Sequence, residues 1–237
     1  MERGPVVVTG ASGYIGSHIV ANLLSKGMRV RATVRDLEDP ERVAHLKSMD
    51  IAEGGDIEIV EMDLFDPESV NSAISGCTDL IHTAATVIVR SRDPQRKIVD
   101  PSVIGTRNVI SAVERSGTIE RFVHTSSTAA IRPMEWKDGS ILTADIWAND
   151  ATLENNPYGL AKVSAEKIVR DWHASLESGT RPRLVTIHPC MVFGPPLSPR
   201  HLRGSLAILM AMIRRTVPLS LPLSLIHISE PTRLATI

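Results

Sequence analysis

The chain has 237 residues, of which 43% are hydrophobic and 22% charged, and its formal net charge is -1. That length suits one large α/β domain, or one domain and part of another, around a sizeable core. With no basic cluster beyond short pairs such as Arg214-Arg215, the charge argues against a nucleic-acid partner. No apolar run reaches the ~18–20 residues of a membrane span, so no membrane partner is expected. The first strand begins by about Pro5, which leaves no room for a signal or transit peptide. The two cysteines, Cys77 and Cys190, have neither metal-ligand nor disulfide-framework spacing. They fit a reducing, cytoplasmic compartment and no metal site.

Along the chain, short β-branched runs alternate with longer helical patterns. Residues 5–9, PVVVT, read as a buried strand. A helix follows over 14–26, with Ile15, Ile19, Leu23 and Leu24 on one face and Gly27 as its stop. The second strand covers 29–35, and a short helix over 39–49 starts with Asp39 as cap and Pro40 in its first turn. A third strand over 57–64 precedes a helix over 66–75, with Asp66 and Pro67 at its start and Gly76 after it. The fourth strand covers 79–84, a long helix runs near 97–116 to Gly117, and the fifth strand covers 121–127. Residues 130–155 are polar and turn-rich and are expected to form a loop over the site. A long helix over 156–176, a sixth strand over 183–189 and a helix over 204–215 follow.

This alternation predicts an α/β fold with a parallel sheet covered by helices on both faces. Right-handed crossovers and a glycine loop after the first strand favour the doubly wound Rossmann order 3-2-1-4-5-6. Residues 1–200 are then a dinucleotide-binding domain and 201–222 the start of an incomplete substrate-binding region.

The loop TGASGYIGSH spaces Gly10, Gly13 and Gly16 three apart between the first strand and first helix. Gly10 suits a tight turn, Gly13 a close approach to a pyrophosphate, and Gly16 close helix–strand packing. The helix N-terminus presents free N–H groups to phosphate. Gly10, Ser12, Gly13, Tyr14, Ile15 and Gly16 are therefore candidate cofactor contacts. The second strand ends in Arg35, with Arg42 one or two turns further on. Arginines there suit the 2′-phosphate of NADP. Asp36 can instead hold a ribose, which keeps NAD open. Asp63 and Leu64 lie where the adenine edge is expected.

In YGLAK, Tyr158 and Lys162 stand four apart, on one face of a helix. Ser127 ends the fifth strand, and ligands in such sheets bind beyond the strand C-termini. The three can converge on one carbonyl. Tyr158 is the candidate general acid, Lys162 lowers its pKa and binds the nicotinamide ribose, and Ser127 stabilises the substrate oxygen.

Together, TGASGYIG, Asp63-Leu64, HTAA at 82–85, TSS at 125–127, YGLAK and HPCMVFGP at 188–195 resemble the extended short-chain dehydrogenase/reductase family. VRATVRD and FGPPLSP resemble its dihydroflavonol reductase-like branch. The resemblance implies an NADP-dependent oxidoreductase reducing a small-molecule ketone or aldehyde, with Ser127, Tyr158 and Lys162 as catalytic trio. It further implies that Thr83, Ala84 and Ala85 line the cofactor and that Pro189 and Met191 flank the nicotinamide. Ser102 stands where many members have asparagine, and His188 where the branch often has asparagine. A sugar-nucleotide epimerase or dehydratase with bound NAD, and a non-catalytic NADP-binding protein, are the alternatives; the oligomeric state is open. Full-length members carry a further strand and a substrate domain, so a truncated chain is expected. Residues 223–233, LSLIHISEPTR, resemble a translated sequencing adapter, which makes 223–237 a non-native tail by expectation.

Overall fold

The computed structural model describes residues 3–85, 88, 91–136, 139–177, 179, 181–202 and 205–214. The expected tail over 223–237 and residues 215–222 lie outside the described residues. The strands are β1 (Val6–Thr9), β2 (Arg29–Val34), β3 (Asp56–Glu61), β4 (Asp79–His82), β5 (Arg121–Thr125) and β6 (Arg183–Ile187). All pairings are parallel and the order is β3-β2-β1-β4-β5-β6, as the alternation predicts.

The helices are α1 (Tyr14–Leu24), α2 (Pro40–Lys47), α3 (Pro67–Ile74), α4 (Asp100–Ser116), α5 (Thr128–Ile131), α6 (Pro157–Ser175) and α7 (Ser205–Ile213). Their starts follow local chemistry. Asp39 and Asp66 accept from the backbone N–H groups of Glu41 and Glu68, each followed by a first-turn proline. Asn156 caps α6 by accepting from the Gly159 N–H at 2.9 Å. The long fourth helix begins with a π-turn over Gln95–Val99. Pro101 has no N–H for the carbonyl four residues back, so the regular ladder starts late.

The period-2 alternation of β1 divides the core in two. Val6 and Val8 pack with Val30, Ala32 and Val34 under Val20 and Leu24 of α1 and Val43 and Leu46 of α2. Val7 faces the other way, with Leu80, Phe122, Val109, Val113 and Val169. At the outer edge burial lapses, and Val185 and Ile187 of β6 are 42% and 38% exposed.

Two expectations are corrected. The buried face of α1 is centred on Gly16, Ser17, Val20 and Leu24, with the expected Ile19 and Leu23 partly buried at its side against the same core. The cause is Gly16, whose missing Cβ lets that face approach the strand. Residues 130–155 are not merely a polar loop. They open with α5, and Ala130, Ile131, Ala148 and Ala151 are buried against Val163 of α6. Small residues at those positions give little hydropathy signal, yet they pack closely.

Candidate active site

At one flank of the sheet's C-terminal edge, backbone builds the site. Gly10 has φ +68°, and a Cβ there would stand 2.8 Å from the Ala84 Cα. A Cβ on Gly16 would stand 2.3 Å from the Gly10 carbonyl oxygen. The loop is therefore closed to side chains on both counts. Gly13 precedes α1 with no side-chain cap, which leaves first-turn N–H groups for an anion. The cradle fits a dinucleotide pyrophosphate on these grounds.

Thr9 fixes the opposing wall. Its hydroxyl accepts from the N–H groups of Thr83 and Ala84, both at 3.1 Å. Its own proton is left to donate to Nδ1 of His82 at 2.7 Å. His82 is thus an acceptor at Nδ1 and neutral, and burial pushes its pKa down to about 4. Ala85 lies with Ala84, His82, Ser102, His124 and Lys162 around a narrow cleft.

Arg35 is exposed at the end of β2 and has no ion-pair partner among the described residues. Arg42, expected to join it, instead has its Nε 2.9 Å from Asp39 Oδ2. Asp36 accepts from the Glu38 N–H and Asp63 from the Phe65 N–H, so each carboxylate already closes a turn. Sequence reasoning missed the return of residues 194–202 across the glycine loop. His201 donates from Nε2 to the Ser12 carbonyl at 3.2 Å, since its Nδ1 accepts from the Leu197 N–H. Tyr14 packs edge-on against His18 and His201, and Arg200 pairs with Asp39 at 3.0 Å. The contacts of His201 with Ser12 and Tyr14, and of Arg200 with Asp39, join residues more than 150 apart, which no local motif signals.

At the other flank, side chains build the site. Ser127 caps α5, its Oγ accepting from the Ala129 N–H at 3.1 Å. It lies close enough to the Tyr158 phenol to lower its pKa. Lys162 follows one helical turn later, its Nζ 5.9 Å from the Tyr158 ring centre. Burial pushes the phenol above its ordinary value, and the nearby Ser127 hydroxyl opposes that. The expected lowering by Lys162 is not among the causes at this distance. Burial also pulls the Lys162 ammonium down to about 8, against the raising effect of Glu166. Pro189 offers its carbonyl to the Thr128 N–H at 3.0 Å and more distantly to Ser127 Oγ at 3.5 Å. Met191 is half-buried two residues on. Next to Ser127, a second cleft is lined by Thr128, Ala129, Arg132, Pro133, Met134 and Asn156.

Beneath this flank is a polar network that the motifs did not reveal. Glu166 is fully buried and bonded to Ser126, His188 and Arg170. His188 is therefore bonded into the site's support rather than merely packed. The signal was present as spacing, because Tyr158, Lys162, Glu166 and Arg170 recur every four residues on one helix face.

A doubly wound parallel sheet with a side-chain-free glycine cradle at its first strand defines a dinucleotide-binding Rossmann-type protein. The chain belongs to the NAD dependent epimerase/dehydratase family, whose model matches residues 6–227. It is 36% identical over 201 residues to a cinnamoyl-CoA reductase, CAD2, of Medicago truncatula, covering 82% of this chain and 59% of that protein. It is 34% identical over 202 residues to dihydroflavonol 4-reductase of Hordeum vulgare, covering 83% of this chain and 55% of that one. Both are consistent with the resemblance to the reductase branch of the extended family. Among solved structures, Gre2 of Candida albicans in complex with NADPH is 30% identical, with a TM-score of 0.69 over 81% of this chain and 59% of that one. The chain thus spans somewhat over half the length of these relatives. Among the described residues no helix is long and apolar enough to cross a membrane.

Proposed function

We propose that this chain carries the cofactor-binding and catalytic residues of an NADP-dependent oxidoreductase that reduces a ketone or aldehyde to an alcohol. The observation that carries this is Tyr158 and the buried Lys162 on one face of α6, Nζ 5.9 Å from the phenol ring centre, with Ser127 beside them after β5. When bound, NADPH supplies the hydride. Gly10, Ser12, Gly13, Tyr14, Ile15 and Gly16 cradle the pyrophosphate, and Arg35 pairs with the 2′-phosphate. Asp63, Leu64, Thr83, Ala84, Ala85, Pro189 and Met191 line the remaining length of the cofactor, and Arg42 acts there only if it leaves Asp39.

Tyr158, kept protonated at neutral pH by its burial, gives its proton to the carbonyl oxygen as the carbon is reduced. Lys162, with a pKa of about 8, is largely an ammonium at pH 7 and stabilises the phenolate left behind. The Ser127 hydroxyl, only weakly engaged by the Pro189 carbonyl, can turn to the substrate oxygen. NADP is favoured over NAD because Arg35 is a cation without an ion-pair partner among the described residues, where the 2′-phosphate would lie. The Gre2 complex with NADPH supports the same choice. The relatives' names point to carbonyl groups on different skeletons, so the reading stops at the carbonyl class. Residues 1–200 serve as the cofactor domain, 201–222 begin the substrate-binding region, and the two free cysteines support a cytoplasmic setting.

Tyr158→Phe tests this. Carbonyl reduction by NADPH should fall about 100-fold or more while NADPH binding, followed by fluorescence, is retained. Retained turnover would remove Tyr158 from the acid role, and stronger binding of NADH than NADPH would redirect the reading to an NAD-bound epimerase or dehydratase.

A further inference from the structure

Glu166 has no part in the chemistry above, yet it is a fully buried carboxylate one turn from Lys162. It accepts from Ser126 Oγ at 2.5 Å, and both its oxygens lie 2.9 Å from His188 Nε2. Arg170 Nη2, one turn further along α6, lies 2.5 Å from Oε1. A buried carboxylate is tolerated only when its lone pairs are met in this way.

The donors sit immediately beside the candidate site. Ser126 follows β5 and precedes Ser127. His188 follows β6 and precedes Pro189, whose carbonyl accepts from the Thr128 N–H at 3.0 Å. The Ser126 N–H in turn donates to the Ile187 carbonyl at 2.9 Å. One carboxylate on α6 therefore holds the C-terminal ends of β5 and β6, and its helix neighbour one turn back is Lys162.

We propose that Glu166 is a positioning residue, a carboxylate clamp that ties α6 to the ends of β5 and β6 and so fixes Ser127, Pro189 and Lys162 against one another. Its negative charge has a second effect. Lys162 is faced by His82 on β4, by His124 on β5 and by Tyr158 on its own helix. His188 and Arg170 lie against Glu166 itself. Both His82 and His124 are held neutral by burial. Glu166 is then the carboxylate that keeps the ammonium on Lys162. The clamp rests on the proposed function only in what it positions; its contacts are independent of that reading.

Two measurements test it without turnover. The first is thermal unfolding against pH for the chain and for Glu166→Gln, each subtracted from its Lys162→Met counterpart. Lys162 binds its proton more weakly folded, at about 8, than unfolded, near ~10.5, so its contribution makes stability climb with pH across that window. Without Glu166 the lower edge of the climb should move by about one pH unit or more toward acid. A uniform drop in melting temperature, with the Lys162-dependent climb unmoved, would reduce Glu166 to a packing role and overturn the charge effect.

The second measurement is hydrogen exchange at the amides of Ser126 and Thr128 in His188→Ala, which removes this donor and leaves Glu166 in place. Exchange at both should quicken about tenfold or more relative to amides in β1. Unchanged protection there would overturn the clamp, whether or not Glu166→Gln folds. If the chain bound NADH in preference to NADPH and reduced no carbonyl while both measurements gave the expected result, the proposed function would fail and the clamp would stand.

Discussion

The two flanks of the site solve the same problem with different materials. On the glycine-loop flank, shape is set by backbone, as Gly10 and Gly16 exclude any Cβ and the start of α1 offers uncapped N–H groups. On the α6 flank, shape is set by buried side chains, as Tyr158, Lys162, Glu166 and His188 are held by one another and by burial. The lesson is physical. A backbone cradle has no titratable part and tolerates no added atom, whereas a buried charge network tolerates little change in pH or in any one partner.

The largest expected effect sharpens the backbone side of this contrast. Gly10→Val forces a β-branched residue to φ +68° and drives its Cβ toward the Ala84 Cα. The strain costs about 1–3 kcal/mol and the overpacking about 1–3 kcal/mol more. Urea unfolding should show that loss at pH 6 and pH 8 alike, and NADPH binding should vanish. A variant as stable as the parent would mean the loop is not the closed cradle described.

An intermediate effect probes the buried side chains. His82 has a folded pKa of about 4, below its ordinary ~6.5, so the unfolded chain binds the extra proton between these values. Stability is therefore present above pH ~6.5 and falls as pH drops toward 4, by up to about 3 kcal/mol. His124, 5.7 Å away ring to ring and lowered by its own burial, acts in the same direction. Melting temperature followed from pH 7 to pH 4 should show the loss, and His82→Gln should flatten it. An acid limb unaltered by that substitution would place the sensitivity elsewhere.

The smallest effect lies at the exposed end of the glycine-loop flank. Arg35→Ser should weaken NADPH binding about tenfold at low salt and leave NADH binding nearly unchanged, because an exposed guanidinium pairs with only the 2′-phosphate and is screened by water. Equal loss for both nucleotides would show that Arg35 serves adenine stacking instead.

Much of this was legible without coordinates. The strand–helix alternation predicts the sheet order, because parallel strands need crossovers and those have one hand. Gly10, Gly13, Gly16 and the Tyr158/Lys162 pair stand at fixed local offsets. Other features were not legible. The face of α1 turns on how closely Gly16 lets it approach β1. Arg42 was expected beside Arg35 at the cofactor, and its Nε lies 2.9 Å from Asp39 Oδ2, a neighbour that expectation did not include. Ala148 and Ala151 are core residues only because α6 happens to lie against them.

By itself the sequence determined the elements, their order in the sheet and the residue types at the cofactor loop, since periodicity, caps and glycine spacing act over a few residues. Tertiary structure decided which polar groups far apart in the chain meet. Glu166 reaches Ser126 across 40 residues, and His201 reaches Ser12 across 189. Hydrogen bonds of that kind depend on the final packing of whole elements, and no local pattern encodes them.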